Sequence, residues 1–174
     1  MNSNHIARDK IITEWFLQEW IGDTSHLPSP EDVVIFMQIV IDVVSMNRTV
    51  NDSERNYLIG RAAILGVPEE MLNELQTYQP VSFKDIANLD VPHIRKTRMG
   101  IIYNLFRIFG GECKISPKEL KLIHTFGKQL NVSDDQIQQI QNLYEDEEKL
   151  RQKRALLLFP NGFNDVLIEY QKLH

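Results

Sequence analysis

Residues 36–76, FMQIVIDVVSMNRTVNDSERNYLIGRAAILGVPEEMLNELQ, and residues 101–141, IIYNLFRIFGGECKISPKELKLIHTFGKQLNVSDDQIQQIQ, carry one pattern twice. An offset of 65 positions lays one on the other without a gap, pairing Glu54 with Glu119, Leu65 with Leu130, Val67 with Val132 and Gln76 with Gln141. Each copy reads as an apolar helix, a short polar loop, a capped helix, a turn and a second capped helix. Such a unit cannot bury its apolar face alone, so the copies are expected to pack on each other about a pseudo-twofold axis. The pattern predicts an all-α fold in a single domain, 1–174, with repeat one at about 30–78, repeat two at about 91–142 and C-terminal helices over 143–174.

The 174-residue chain is long enough to bury a substantial core. Its hydrophobic fraction of 43% and charged fraction of 25% are those of a globular protein. A net charge of −5 argues against general binding to nucleic acid, which needs clustered positive charge. One cysteine, Cys113, allows no internal disulfide and points to a reducing cytoplasm. The opening MNSNHIARDKIITEW lacks the uninterrupted apolar run of a secretory leader. The most apolar stretch, Val33 to Val44, is too short to span a membrane and is interrupted by Gln38 and Asp42; it reads as a core helix.

Along the chain, residues 5–21 predict a helix with Ile12, Phe16 and Trp20 on one face, flanked by Ile11 and Trp15. We read the aromatics as a packing stripe over the core rather than a ligand pocket. Ser29-Pro30-Glu31-Asp32 starts the central helix, which runs to about Met46. Asn51 and Glu54 form one capping box and Ser116 and Glu119 a second, while Pro68-Glu69-Glu70 and Ser133-Asp134-Asp135 start the last helix of each copy. Ser82 to Asp85 caps a brief connecting helix. After the repeat, YEDEEKLRQKR predicts a solvated helix with Glu145/Lys149 and Glu147/Arg151 pairs, ALLLFP an apolar plug, and FNDVLIEYQKLH a closing helix after the Asn161-Gly162 turn.

No catalytic signature stands in the chain: neither His-Glu-x-x-His, a phosphate-binding glycine loop, Gly-x-Ser-x-Gly nor Cys-x-x-Cys. No two of the five histidines have zinc-ligand spacing, and His124 reads as a core-edge residue. The loops Asn47–Glu54 and Glu112–Glu119 are rich in oxygen ligands but lack the glycine and glutamate positions of an EF-hand. Capping explains Glu54 and Glu119 without a metal. Asp42 lies in a nearly all-apolar helix, and its repeat equivalent is Arg107; the two are expected to meet as a buried ion pair. The competing reading puts Asp42 on a polar cleft with Gln38 and Ser45. His93, Arg95, Lys96 and Arg98 crowd a helix start, where cations oppose the dipole, and Asp85 and Asp90 are the nearby acids.

The order apolar helix, loop, Ser116-Pro117-Lys118-Glu119, and a helix closing in Leu130-Asn131-Val132-Ser133 resembles the TerB-like proteins of bacterial tellurite-resistance systems. That family commonly writes the loop Asp-Gly-x-Val/Ile-Ser-Pro-Glu-Glu. Here Glu112-Cys113 and Asn47-Arg48 stand in place of Asp-Gly. Over residues 30–142 the resemblance implies an all-helical duplicated fold and a cytoplasmic role in tellurite or chemical-stress resistance. It also implies a non-enzymatic protein acting through a divalent metal or through protein partners, membrane-bound ones among them. The candidate metal ligands are Glu112 and Glu119, with Asn47, Asp52 and Glu54 as the weaker counterpart. The alternative is a small-molecule binder or enzyme with a pocket between the repeats, using Asp42, Gln38 and Tyr103.

Overall fold

Each strong capping signal starts a helix. In the computed structural model, which describes residues 3–81, 92–111 and 114–164, these are α1 (Ser3–Ile21), α2 (Pro30–Ser45), α3 (Asp52–Ile64), α4 (Glu69–Thr77), α5 (Pro92–Phe109), α6 (Pro117–Gln129) and α7 (Asp134–Leu158). The described residues form no strand. Ser29 accepts from the Asp32 N–H and Pro30 opens α2. Asn51–Glu54 and Ser116–Glu119 close reciprocal capping boxes on α3 and α6, and Ser133–Gln136 closes a third on α7. The connecting segment 82–85 and the closing stretch beyond 164 lie outside the described residues, as do Asp85 and Asp90.

Helix ends repeat as faithfully as helix starts. Gly66 (φ 84°) and Asn131 (φ 55°), 65 positions apart, both take the left-handed conformation after α3 and α6. The following N–H of Val67 then reaches back to the Ala62 carbonyl at 3.1 Å, and that of Val132 to Gly127 at 2.8 Å. This is the Schellman closure, in which the next side chain packs inward. Val67 and Val132 are accordingly buried. The identities Glu54/Glu119 and Val67/Val132 therefore mark the two ends of the same helix in each copy. For Gln76/Gln141 we have no physical account.

The centre is α2 against α5, with α3 and α4 packed on α2, and α6 and α7 on α5. Val40, Ile41, Val43 and Val44 of α2 and Ile101, Ile102, Leu105 and Phe106 of α5 are fully buried. α6 closes on α7 where Gly127 meets Ile137; a Cβ there would lie 2.5 Å from the Ile137 Cδ1 atom. α1 is fastened to the end of α3 by the Thr13 hydroxyl, which donates to the Ile64 carbonyl at 2.7 Å. The face of α1 differs from the sequence expectation. Thr13 and Leu17 point inward, whereas Ile11 and Trp15 are exposed, because α1 lies chiefly against α3 and turns only that face to the body.

Four further expectations are corrected. Asp42 is buried, 3% exposed, but does not meet Arg107. Its carboxylate accepts from the Tyr78 hydroxyl at 3.1 and 3.2 Å and from the Val81 N–H at 2.9 Å, tying α2 to the chain leaving α4. Arg107 instead pairs with Glu148 of α7 at 2.7 Å. α7 itself is one helix of 25 residues, roughly 38 Å long, rather than a capped helix, a solvated helix and a plug. No helix breaker stands before Pro160, so propagation continues through ALLL, whose leucines 156–158 are exposed. The charged stretch is not wholly solvated either. Glu147 accepts from the Tyr103 hydroxyl, and Glu148 holds both Arg107 and Arg151. The expected i,i+4 pairs give way to Lys149–Asp146 and Arg151–Glu148.

Burial pushes the Asp42 carboxyl above its ordinary value, against the lowering pull of the Val81 N–H and the Tyr78 hydroxyl. A raised carboxyl costs stability while ionised, and that cost fades as pH falls through its folded value. Removing a hydrogen bond to the charged form enlarges the cost. Tyr78→Phe is therefore expected to lose about 1.5–3 kcal/mol at pH 7 and clearly less near pH 4. Urea unfolding at the two pH values checks it; an equal loss at both would contradict the assignment.

Candidate functional site

The loop leaving α2 delivers Arg48 to the junction of the two halves. Its guanidinium forms a fork with the Glu54 carboxylate, with one contact at 2.6 Å and a second from the other terminal nitrogen. Its Nε lies 3.5 Å from Glu119 Oε1, and its plane faces the Phe109 ring with 5.7 Å to the centroid. Glu54 and Glu119 are both buried, and each also accepts from its own N-cap backbone, Asn51 at 3.0 Å and Ser116 at 2.8 Å. Two capping boxes, one from each copy, thus share one cation. The Glu54 carboxylate, with Glu119 behind it, holds the Arg48 guanidinium above even the ordinary arginine range.

This arrangement decides how the expected metal ligands fare. The structure brings Glu54 and Glu119 together, but a divalent ion between them would need the space of the guanidinium and would sit beside its charge. Asp52 is exposed in the first turn of α3. Asn47 Oδ1 is buried with no donor among the described residues. Glu112 and Cys113 lie outside the described residues. Among those described, no group of three or more His, Cys, Asp or Glu is arranged to hold a metal. Residues 47, 52, 54 and 119 do not fit a divalent cation while Arg48 is present.

The alternative set, Asp42, Gln38 and Tyr103, does not form a site either. Asp42 is spent on Tyr78 and Val81, and Tyr103 on Glu147. A cavity of about 290 Å³ does open between the copies, but elsewhere, among α1, α2, α3 and α5. Leu17, Trp20, Phe36 and Met37 form much of its apolar wall, and Arg61 and Asn104 are polar groups in it. The Arg61 guanidinium lies 4.4 Å from the Trp20 ring centroid, 5.6 Å from that of Phe16 and 5.8 Å from that of Tyr57. Trp20 therefore lines a cavity as well as packing against its neighbours. His124, expected at the core edge, binds Asp134 at 2.8 Å and ties α6 to the start of α7.

Sequence reasoning passed over Arg61 and Asn104, yet the repeat marks both. The equivalent of Arg61 is Phe126 and that of Asn104 is Ile39, each buried in the other copy. A polar residue where its duplicate is a core hydrophobe signals a local environment that differs between the copies.

No protein-family model matches the chain, and no curated protein matches it in sequence. Among solved structures, a tellurite resistance protein from Nostoc punctiforme superposes with a TM-score of 0.78 at 22% identity, covering 92% of this chain and 98% of that one. The fold is TerB-like. The TerB-like fold is thus reached with little sequence identity, as expected when caps and apolar faces, rather than particular side chains, specify the helices. Among the described residues, no helix of this TerB-like fold is long and apolar enough to cross a membrane.

Removing Arg48 leaves two buried carboxylates facing each other. Arg48→Ala is expected to cost about 3 kcal/mol, the low end for breaking a buried pair because the guanidinium is one-third exposed. Glu119→Gln placed on top should recover part of that loss, which chemical denaturation of the single and double variants measures. Arg48→Gly opens the space as well as the charge. Its melting temperature is expected to rise with calcium or magnesium while the wild type stays fixed at the same concentrations. A wild-type rise that Glu54→Gln abolishes would show the pair binding metal despite Arg48.

Proposed function

We propose that the chain is a TerB-like protein of tellurite and chemical-stress resistance, working in the cytoplasm without catalysis, by association with protein partners. The observation that carries this reading is the extent of the likeness to the Nostoc protein. It takes in 92% of this chain and 98% of that one, so the two share a whole architecture and not a fragment of it. The non-enzymatic part is supported by how the interior charges are used. Asp42, Glu54 and Glu119 are buried, and each is held by hydrogen bonds that stabilise the fold. A general acid or base needs a side chain left available to substrate. Metal binding through Glu54 and Glu119 is not carried into this reading, for the reason Arg48 supplies.

Two measurements test it. Deleting the gene in its own host is expected to lower the tellurite concentration tolerated in growth by several-fold, with recovery on complementation; unchanged tolerance would remove the resistance role. Purified chain incubated with tellurite and a thiol reductant is expected to leave the tellurite concentration at the protein-free level. Multiple-turnover depletion would remove the non-enzymatic part.

A further inference from the structure

The cavity among α1, α2, α3 and α5 has the composition of a small-molecule site: an apolar wall with a few polar groups at fixed places. Two of those polar groups each carry one atom without a partner among the described residues. Asn104 is 1% exposed; its amide nitrogen donates to the Gly100 carbonyl at 2.8 Å, and its Oδ1 is buried with no donor among the described residues. The nitrogen's engagement fixes which way the amide faces, so the orphan is an acceptor. Arg61 Nε is a buried orphan donor, and no carboxylate pairs with this guanidinium among the described residues. Phe16, Trp20 and Tyr57 surround it with ring faces, which stabilise a cation and hold it in place without using its hydrogen-bond donors. Asp32, an acid in the same wall, already has a partner of its own.

We propose that this cavity binds a small carboxylic acid with an apolar body and one hydrogen-bond donor. The carboxylate meets Arg61, whose planar fork suits it better than any neutral head group. The apolar body lies against Leu17, Phe36 and Met37. A hydroxyl or amide N–H on the ligand satisfies Asn104 Oδ1 once the wall shifts to admit it, since the atom is closed to water-sized groups in the empty cavity. The size follows from the volume: 290 Å³ holds about ten water-sized groups, the bulk of a medium-chain hydroxy acid. Both copies contribute, α2 and α3 from one and α5 from the other, so the site exists only where the duplicated halves meet. The inference does not depend on the resistance role, and neither test bears on the other.

Calorimetric titration of the full chain with 3-hydroxyoctanoate, octanoate and 1-octanol distinguishes the parts. The hydroxy acid is expected to bind once per chain and most tightly, octanoate more weakly, and octanol roughly tenfold more weakly than octanoate, the loss of one charge-assisted pair. Arg61→Gln should erase the preference for acid over alcohol. Asn104→Leu should erase the preference for the hydroxy acid while octanoate still binds. Gly100→Leu should block all three, because its side chain grows toward the Phe36 ring, 3.7 Å from where a Cβ would stand. Octanol binding as tightly as octanoate, binding retained in a folded Gly100→Leu, or no heat from any probe at millimolar concentration each overturns the proposal. If Arg61→Gln fails to fold by circular dichroism, the acid and alcohol comparison on the wild type still decides it.

Discussion

A glutamate that closes a capping box is most useful when ionised, and ionised carboxylates resist burial. Here two of them, Glu54 and Glu119, are buried at the same junction, one from each copy of the repeat. Their own N-cap amides satisfy part of each carboxylate and leave the charge. Arg48 supplies the opposing charge to both, with the Phe109 ring under its plane. The starts of α3 and α6 and the end of α5 are thereby held to one guanidinium. The packing of α2 on α5 places those ends near one another, and the shared cation makes that placement tolerable.

What could be read from the sequence divides along the range of the interaction. Caps are made within four residues, so Asn51/Glu54 and Ser116/Glu119 declare themselves locally. The core helices are legible for the same reason, since a face apolar at every turn needs no knowledge of its partner. Pairings across helices are not of this kind. Aligning the copies set Asp42 beside Arg107, yet Asp42 turns to the chain after α4 and Arg107 to α7. Each helix position is rotated about a third of a turn from the last, so equivalence along the chain does not fix who faces whom. The inward turn of Glu147 and Glu148 on a strongly charged helix was hidden in the same way.

The binding residues form a third category. Arg61 and Asn104 look unremarkable within their own helices, and nothing in spacing or composition singles them out. They become visible against their duplicates, Phe126 and Ile39, which are core residues. A repeat records what a position does when it serves packing alone, and departures from that record point to places where one copy has a different environment from the other. The TerB-like architecture is thus shared widely along the chain, while the proposed acid site draws on positions where the two copies disagree.

The cation shared at the junction has a consequence for the two halves. A chain made of two first copies would carry two guanidinium groups, whereas one made of two second copies would bring two glutamates together with a cysteine, Cys113, at the place of Arg48. The first arrangement would give each carboxylate its own guanidinium, and the second would leave both carboxylates without one. Arg48 serves both boxes while its counterpart in the sequence is Cys113, so the halves are not interchangeable. Putting the second half in place of the first would strand two buried carboxylates, so the guanidinium makes the second half dependent on the first.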